Sequence, residues 1–484
     1  MKTMRVRTTT TSNLAELVSL RKNRLQKKLT YYFVGIGGCG MSALALMLVR
    51  QGHKVSGSDM VSSPVVERLG RRGIHVHIGH RAESVPAGVD CVVASAAVKD
   101  DNPELLQAKK LGVKVLKYAQ MLGELTRSMK TVAVAGTHGK STTSGWLAYM
   151  LKKAGFDPSF VIGADVEQLG GPSGSGSGEY LVVEACEYDR SFLNFYPQTA
   201  AILNIEPDHL DYYRDLEEII QSFGQFAARL PADGLLVANG ADANVRRALE
   251  GKHINCEFFR LDGQADWQAV DLEFDYGQAS FELWYKGTRL RRVSLSLAGG
   301  HNVANALAAA ALARQVGLSD QQICTGLEGF VGVSRRMSYK GEVDGVVVLD
   351  DYAHHPTEIR VTLQAVRQMY QPRCLWCVFQ PHQHSRTRFL LDDFAGSFGE
   401  ADVVLLPDIY FVRDSEASRR EITAAMLAER IALGHGRAYY LESFNRIVEH
   451  LVEQAKSGDV VITMGAGDIW KLADELIRRL RRDS

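Results

Sequence analysis

The segment Ala135-Gly136-Thr137-His138-Gly139-Lys140-Ser141-Thr142-Thr143 combines glycines, a lysine and hydroxyl side chains in the pattern of a loop that cradles phosphate. It follows an apolar run, 131–135, and opens a helix-length stretch, as such a loop should. A strict Walker A motif has glycine at position 134, where this chain has Val134, so the loop is a variant. In this reading Gly136, Thr137, His138, Gly139 and Thr142 surround the phosphates of ATP. Lys140 reaches the terminal ones and the Ser141 hydroxyl ligates magnesium. A second turn, Gly35-Ile36-Gly37-Gly38-Cys39-Gly40, satisfies G-x-G-x-x-G between a strand and a helix, with Asp59 closing the next strand. It offers a helix N-terminus to a diphosphate whose identity the spacing leaves open.

Carboxylates gather at two further strand ends, in Glu184-Ala185-Cys186-Glu187-Tyr188-Asp189 and Asn204-Ile205-Glu206-Pro207-Asp208-His209. Acids just beyond parallel strands face the crevice where ligands sit, and magnesium on ATP needs oxygen donors. A third group comprises Asp350-Asp351-Tyr352-Ala353-His354-His355-Pro356 and Gln380-Pro381-His382-Gln383-His384-Ser385-Arg386. Histidine and arginine so placed can hold a carboxylate and a developing phosphate charge. Zinc is the competing reading of these histidines, but His354-His355 and His382-x-His384 lack the usual ligand spacing.

The elements that must carry these residues alternate between strand-like and helix-length runs, the pattern of parallel α/β folds. Three such blocks in series are expected: 29–129, 130–333 and 334–484, after a polar arm, 1–28. The first and third read as Rossmann-like, the second as a phosphate-loop ATPase domain. A β-hairpin is expected around Lys286-Gly287, and the glycine-serine run 170–178 reads as a flexible loop. With 484 residues the chain can bury full cores without disulfides, and Cys374 and Cys377 read as part of a buried strand. Lys plus Arg (56) balance Asp plus Glu (56), which argues against nucleic acid or an anionic membrane surface as partner. The uncharged runs 29–49 and 293–313 are broken by Gly and Asn, so no membrane span and a cytoplasmic setting are expected.

The motifs GIGGCGMSALA, AGTHGKSTT, EACEYDRSFL, NIEPDHLDYY, GGHNVANALAA, DDYAHHPTEI, FQPHQHSRT and MGAGDI, in this order, resemble those of the Mur ligases. These are ATP-dependent peptide-bond-forming enzymes of peptidoglycan precursor synthesis. The resemblance runs from about Tyr31 to about Leu480 and, within the family, is to the branch that adds L-alanine to UDP-N-acetylmuramate. It implies that Gly37, Gly38, Gly40, Met41 and Ser42 surround the UDP-sugar diphosphate, with Asp59, Ser95 and Asn102 nearby and Glu187 facing substrate. It implies two magnesium ions, one on Ser141 and Glu184, the other on Glu184 and His209. Asn302 and Asn305 would reach the adenine end of ATP, and Arg336 and Asp351 its phosphates and ribose. Tyr352, His354 and Arg386 would form the amino-acid pocket, with Lys140, Glu184, His354 and Arg386 as the catalytic set.

Two positions depart from the family pattern. Gln383 stands where relatives often have arginine, and no lysine lies between His209 and Lys252, where branches adding later residues carry a carbamoylated one. The implied reaction is attack of the lactyl carboxylate on the γ-phosphate, then of the alanine amine on the acyl phosphate, with His354 as candidate base. The expected assembly is a monomer or weak homodimer. Three other readings are a ligase attaching a whole tripeptide, a nicotinamide oxidoreductase using the first glycine turn, and a non-catalytic nucleotide-gated binding protein.

Overall fold

The computed structural model describes residues 28–412 and 414–483, so the expected arm lies outside the described residues except for Lys28. The chain divides into two compact units, Met1–Tyr118 and Ala119–Ser484. The first carries a five-stranded parallel sheet in the order His75–Ile78, Lys54–Asp59, Thr30–Val34, Cys91–Ala94, Lys114–Lys117. Its strand order reverses at Thr30–Val34, and the crevice beyond that strand is where open α/β sheets bind ligands. The glycine turn begins there, at Gly35, and leads into the helix Cys39–Arg50.

The second unit holds two more sheets. In the first of these, Lys130–Ala135 lies between Tyr180–Glu184 and Thr199–Ile202, all three parallel, so the phosphate-type loop emerges between two strand ends rich in acids. In the other, Val460–Met464 lies between Val346–Asp351 and Leu375–Phe379, again parallel, bringing both histidine-rich motifs to one edge. The compact units part at 118/119, eleven residues before the boundary expected at 129/130. The reason is local: in the helix Tyr118–Ser128, the Thr126 hydroxyl accepts a hydrogen bond from the Tyr196 amide, which ties that helix to the second unit.

The expected hairpin is present as Gln278–Tyr285 and Thr288–Ala298, extended by a third antiparallel strand, Trp267–Asp275. The helix Gly300–Val316 is buried nearly all round, with 306–313 at most 1% exposed, because alanine lets sheet and helix approach on both sides. The segment 170–178 is not simply a flexible loop. Ser173–Gly174 pairs with Ser159–Val161, and a Cβ at Gly176 or Gly178 would lie 1.9 Å from a backbone carbonyl oxygen. Glycine serves close backbone approach there. Cys377 is fully buried in Leu375–Phe379, as a strand cysteine should be. Among the described residues no helix is long and apolar enough to cross a membrane.

Candidate active site

The phosphate-type loop is built by two neighbouring strand ends. Gly139 takes a left-handed conformation (φ 82°) as N-cap of the helix Lys140–Lys153, and a Cβ there would lie 2.4 Å from Asn305 Oδ1. Asn204 clamps the loop from the adjacent strand end: its Oδ1 accepts from the His138 amide at 2.7 Å and its Nδ2 donates to His138 O at 3.1 Å. The Glu206 amide donates to Thr137 Oγ1 at 2.9 Å. The first helical turn is left facing a cavity of about 380 Å³. The central domain lines it with His138, Thr142, Asn302 and Asn305, the third domain with Arg336 and Asp351. Its size and its mixture of apolar and charged walls suit a nucleotide.

Lys140 is folded onto its own loop. Its Nζ donates to Gly136 O at 2.5 Å and to Thr137 O at 3.0 Å, and pairs with Glu187 Oε2 at 2.9 Å. Burial opposes its charge, but Glu187 outweighs burial and keeps the ammonium protonated. Ser141 Oγ donates to Glu184 Oε2 at 2.7 Å, and the Gly163 amide reaches the same oxygen at 2.6 Å. His209, left-handed at φ 53°, lies with Nε2 3.8 Å from Glu187 Oε1 and its buried Nδ1 without a hydrogen-bond partner. A hydroxyl, carboxylates and an imidazole with an idle nitrogen form a donor set that fits magnesium with its retained waters. The pairing differs from the sequence expectation: Glu187 rather than Glu184 faces His209.

From Lys140 a chain of contacts leads into the third domain. Glu187 meets His209, and its neighbour Asp208 receives Arg386 through Nε at 3.0 Å and Nη2 at 2.9 Å. Asp208 and Arg386 are each 7% exposed. Burial would raise the Asp208 carboxyl, but the guanidinium outweighs it and holds the group well below the usual range. Arg386 Nη1 also lies 3.3 Å from His382 Nδ1. The arginine expected to take a substrate carboxylate is thus occupied by a protein carboxylate, and any substrate must share or displace it.

His354 Nδ1 lies 2.9 Å from Tyr352 O, so it carries the proton and Nε2 carries the lone pair. Burial lowers its pKa to about 3. Its Nε2 is thus the atom that can accept a proton or a hydrogen bond from the incoming amine. Tyr352 is partly exposed under Arg335 and Arg336, whose guanidinium carbons lie 5.1 and 5.6 Å from its ring centre. Arg336 reaches Glu358 Oε1 at 3.2 Å and Asp351 Oδ1 at 3.9 Å. Burial raises Asp351 to about 6, although the Met337 and Ala353 amides each donate to it at 2.7 Å. Asn302 Nδ2 donates to Ala298 O, and Asn305 Nδ2 to Asn302 Oδ1, on the cavity wall.

Sequence reasoning put His138 at the ATP phosphates and Glu206 among the strand-end acids, but did not join them into the cluster they form on the same wall. His138 Nδ1 lies 3.3 Å from Glu358 Oε1, its Nε2 3.5 Å from Glu206 Oε2, and the Thr357 hydroxyl donates to that Glu206 oxygen at 2.6 Å. Burial opposes a charge on His138, but the two carboxylates outweigh it and raise the imidazole to about 9. Burial would raise Glu206, yet His138 and Thr357 bring it down to about 2. No local signal marks this cluster, because its members come from three separate motifs.

In the first unit the expected residues share the crevice side of the sheet but spend their side chains on structure. Gly37 N donates to Asp59 Oδ2 at 2.8 Å, closing the glycine turn. Met41 and Ser42 are buried, and Ser42 Oγ donates to Cys39 O at 2.9 Å. Asn102 Oδ1 caps the helix Pro103–Lys110, and Ser95 Oγ accepts weakly from Ala97 N at 3.4 Å. Gly38 and Gly40 flank the start of the helix Cys39–Arg50. Glu104, in the stretch that the resemblance places near the UDP-sugar, is buried and accepts from Tyr32 Oη at 2.8 Å and Ser58 Oγ at 2.6 Å, beside His80.

Residues 30–130 match the Mur ligase family catalytic domain, 134–313 the Mur ligase middle domain and 335–467 the Mur ligase glutamate ligase domain. A UDP-N-acetylmuramate–L-alanine ligase of Caldanaerobacter subterraneus subsp. tengcongensis is 41% identical over 460 residues, 95% of this chain and 99% of the relative. The solved UDP-N-acetylmuramate–alanine ligase of Thermotoga maritima superposes with a TM-score of 0.75 at 28% identity, covering 94% of this chain and all of that one. A murein peptide ligase from Psychrobacter arcticus superposes with a TM-score of 0.67 at 27% identity, covering 93% and 98%. With the three family domains matched in order around a loop, acid and arginine arrangement that spans two of them, the chain belongs to the Mur ligase family.

Proposed function

We propose that this protein is a cytoplasmic ATP-dependent ligase that joins L-alanine to the lactyl carboxylate of UDP-N-acetylmuramate through an acyl phosphate. The observation that carries the reading is the contact chain Lys140–Glu187–His209, then Asp208–Arg386, which runs from the phosphate loop to a buried arginine of the third domain. The relative named an alanine ligase, at 41% identity over 95% of the chain, supports alanine as the added residue. The first glycine turn, in the separate N-terminal unit, is the proposed seat of the UDP-sugar diphosphate, through Gly37, Gly38 and Gly40.

The first step brings a carboxylate against a phosphate, two anions, and Lys140 supplies the fixed positive charge that lowers this barrier. Magnesium on Ser141 and Glu184, with a second ion by His209 and Glu187, would withdraw charge from the phosphates and hold the carboxylate. Arg386 orients the alanine carboxylate by its planar fork. His354, whose Nδ1–H donates to Tyr352 O, offers Nε2 as acceptor to the incoming amine.

Phosphate release should appear with UDP-N-acetylmuramate and ATP only when L-alanine is added. Release driven by a tripeptide and not by alanine would instead favour the activity named for the Psychrobacter relative. Glu184→Gln keeps the size of the side chain but removes its charge. The magnesium concentration needed for half-maximal activity should rise about 10–100-fold, the scale on which disturbed metal sites lose affinity. A magnesium titration that superimposes on the parent's removes Glu184 from the ligand set.

A further inference from the structure

The seam between the central and third domains carries a donor set distinct from the magnesium residues. His138 and Glu206 come from the central domain and His355 from the third, and one ligand atom from each lies within 4.8 Å of the other two. Glu206 Oε2 is 3.5 Å from His138 Nε2 and 3.7 Å from His355 Nδ1. A tetrahedral ion with bonds of about 2.0–2.1 Å spaces its ligands about 3.3–3.4 Å apart, so modest side-chain shifts would close the triangle.

The second nitrogen of each imidazole is already held as metal-bound histidines hold theirs. His355 Nε2 donates to Pro207 O at 3.0 Å, which leaves the lone pair on Nδ1; its one competing contact is a long 3.3 Å bond from the Thr357 amide. His138 Nδ1 faces the Glu358 carboxylate at 3.3 Å, and its buried Nε2 points toward Glu206 with no hydrogen bond formed; the ion would take the place of the proton that the two carboxylates favour there. The Thr357 hydroxyl fixes Glu206. His355 is 4% exposed, while His138 and Glu206 are half-buried where they line the cavity.

We infer that His138, Glu206 and His355 form a site for a borderline transition-metal ion of the zinc class, which bolts the third domain to the phosphate loop. Two imidazoles and a carboxylate select zinc, cobalt or nickel over magnesium. His138 and Glu206 also line the nucleotide cavity, so the ion would occupy its wall and slow nucleotide exchange. This holds whichever amino acid the enzyme adds.

The test is a titration of the full chain with Co²⁺ in saturating magnesium, read by visible absorption. One equivalent should give the intense bands of a four-coordinate ion. His355→Asn and Glu206→Gln should each weaken binding at least 100-fold, the upper end of what disturbing a metal-bound histidine costs. Glu184→Gln should leave the bands in place. Absence of saturable bands, bands that survive both substitutions, or bands lost in Glu184→Gln would overturn the site. X-ray absorption on the parent zinc complex needs no variant: two imidazoles are expected, and one or none refutes the proposal.

Discussion

Lys140→Ala should reduce phosphate release by about 10²–10³-fold, the cost of removing one preorganised charge donor from a transition state. The hydrogen bonds and ion pair of its ammonium are to its own loop and to Glu187. Its loss leaves Glu187, 3% exposed, without its cation, so some stability is lost as well. A melting curve at the assay temperature must therefore accompany the kinetics. Affinity for UDP-N-acetylmuramate, measured by calorimetry without ATP, should stay within about threefold, because the proposed diphosphate turn lies in the other compact unit. Undiminished turnover would remove Lys140 from the reaction. An equal loss of UDP-sugar affinity would mean that the sugar nucleotide occupies the central loop instead.

The sequence was informative wherever chemistry is local. A glycine-lysine-hydroxyl loop after an apolar run needs only its own backbone, and Gly136 to Thr142 form it as read. Strand-end acids were likewise legible, because parallel strands deliver their C-terminal residues to one edge. What stayed hidden depends on pairing across the chain. Asp208 and Arg386 are 178 residues apart, and nothing near either says that one neutralises the other. The same holds for His138, Glu206 and His355. Asp59 was read as a ligand contact from its place after the glycine turn, and Asn102 from the family resemblance. Their side chains cap a helix and close a turn, two uses that look identical in sequence. The strand Trp267–Asp275 was missed because its outer half is exposed and charged, which blurs the alternation a strand would show.

The Asp208–Arg386 pair makes the amino-acid pocket testable, because structure and substrate draw on the same guanidinium. Arg386→Ala should destabilise the protein by about 3–5 kcal/mol, since it strands a buried carboxylate. It should also raise the apparent KM for alanine by more than about tenfold, a loss of at least 1.4 kcal/mol in substrate binding. Adding Asp208→Asn removes the stranded charge and keeps an acceptor for the His209 amide, which now bonds Asp208 Oδ1 at 2.6 Å. The double variant should therefore regain most of the melting temperature. It should not regain alanine affinity, because the substrate carboxylate still lacks its partner in a site that excludes water. KM values for ATP and UDP-N-acetylmuramate should change little in either variant. If kcat falls while KM for alanine holds, Arg386 stabilises the acyl phosphate rather than the amino acid. If the double variant recovers both stability and alanine KM, the arginine is only the counter-ion of Asp208, and the substrate carboxylate must be held by another group.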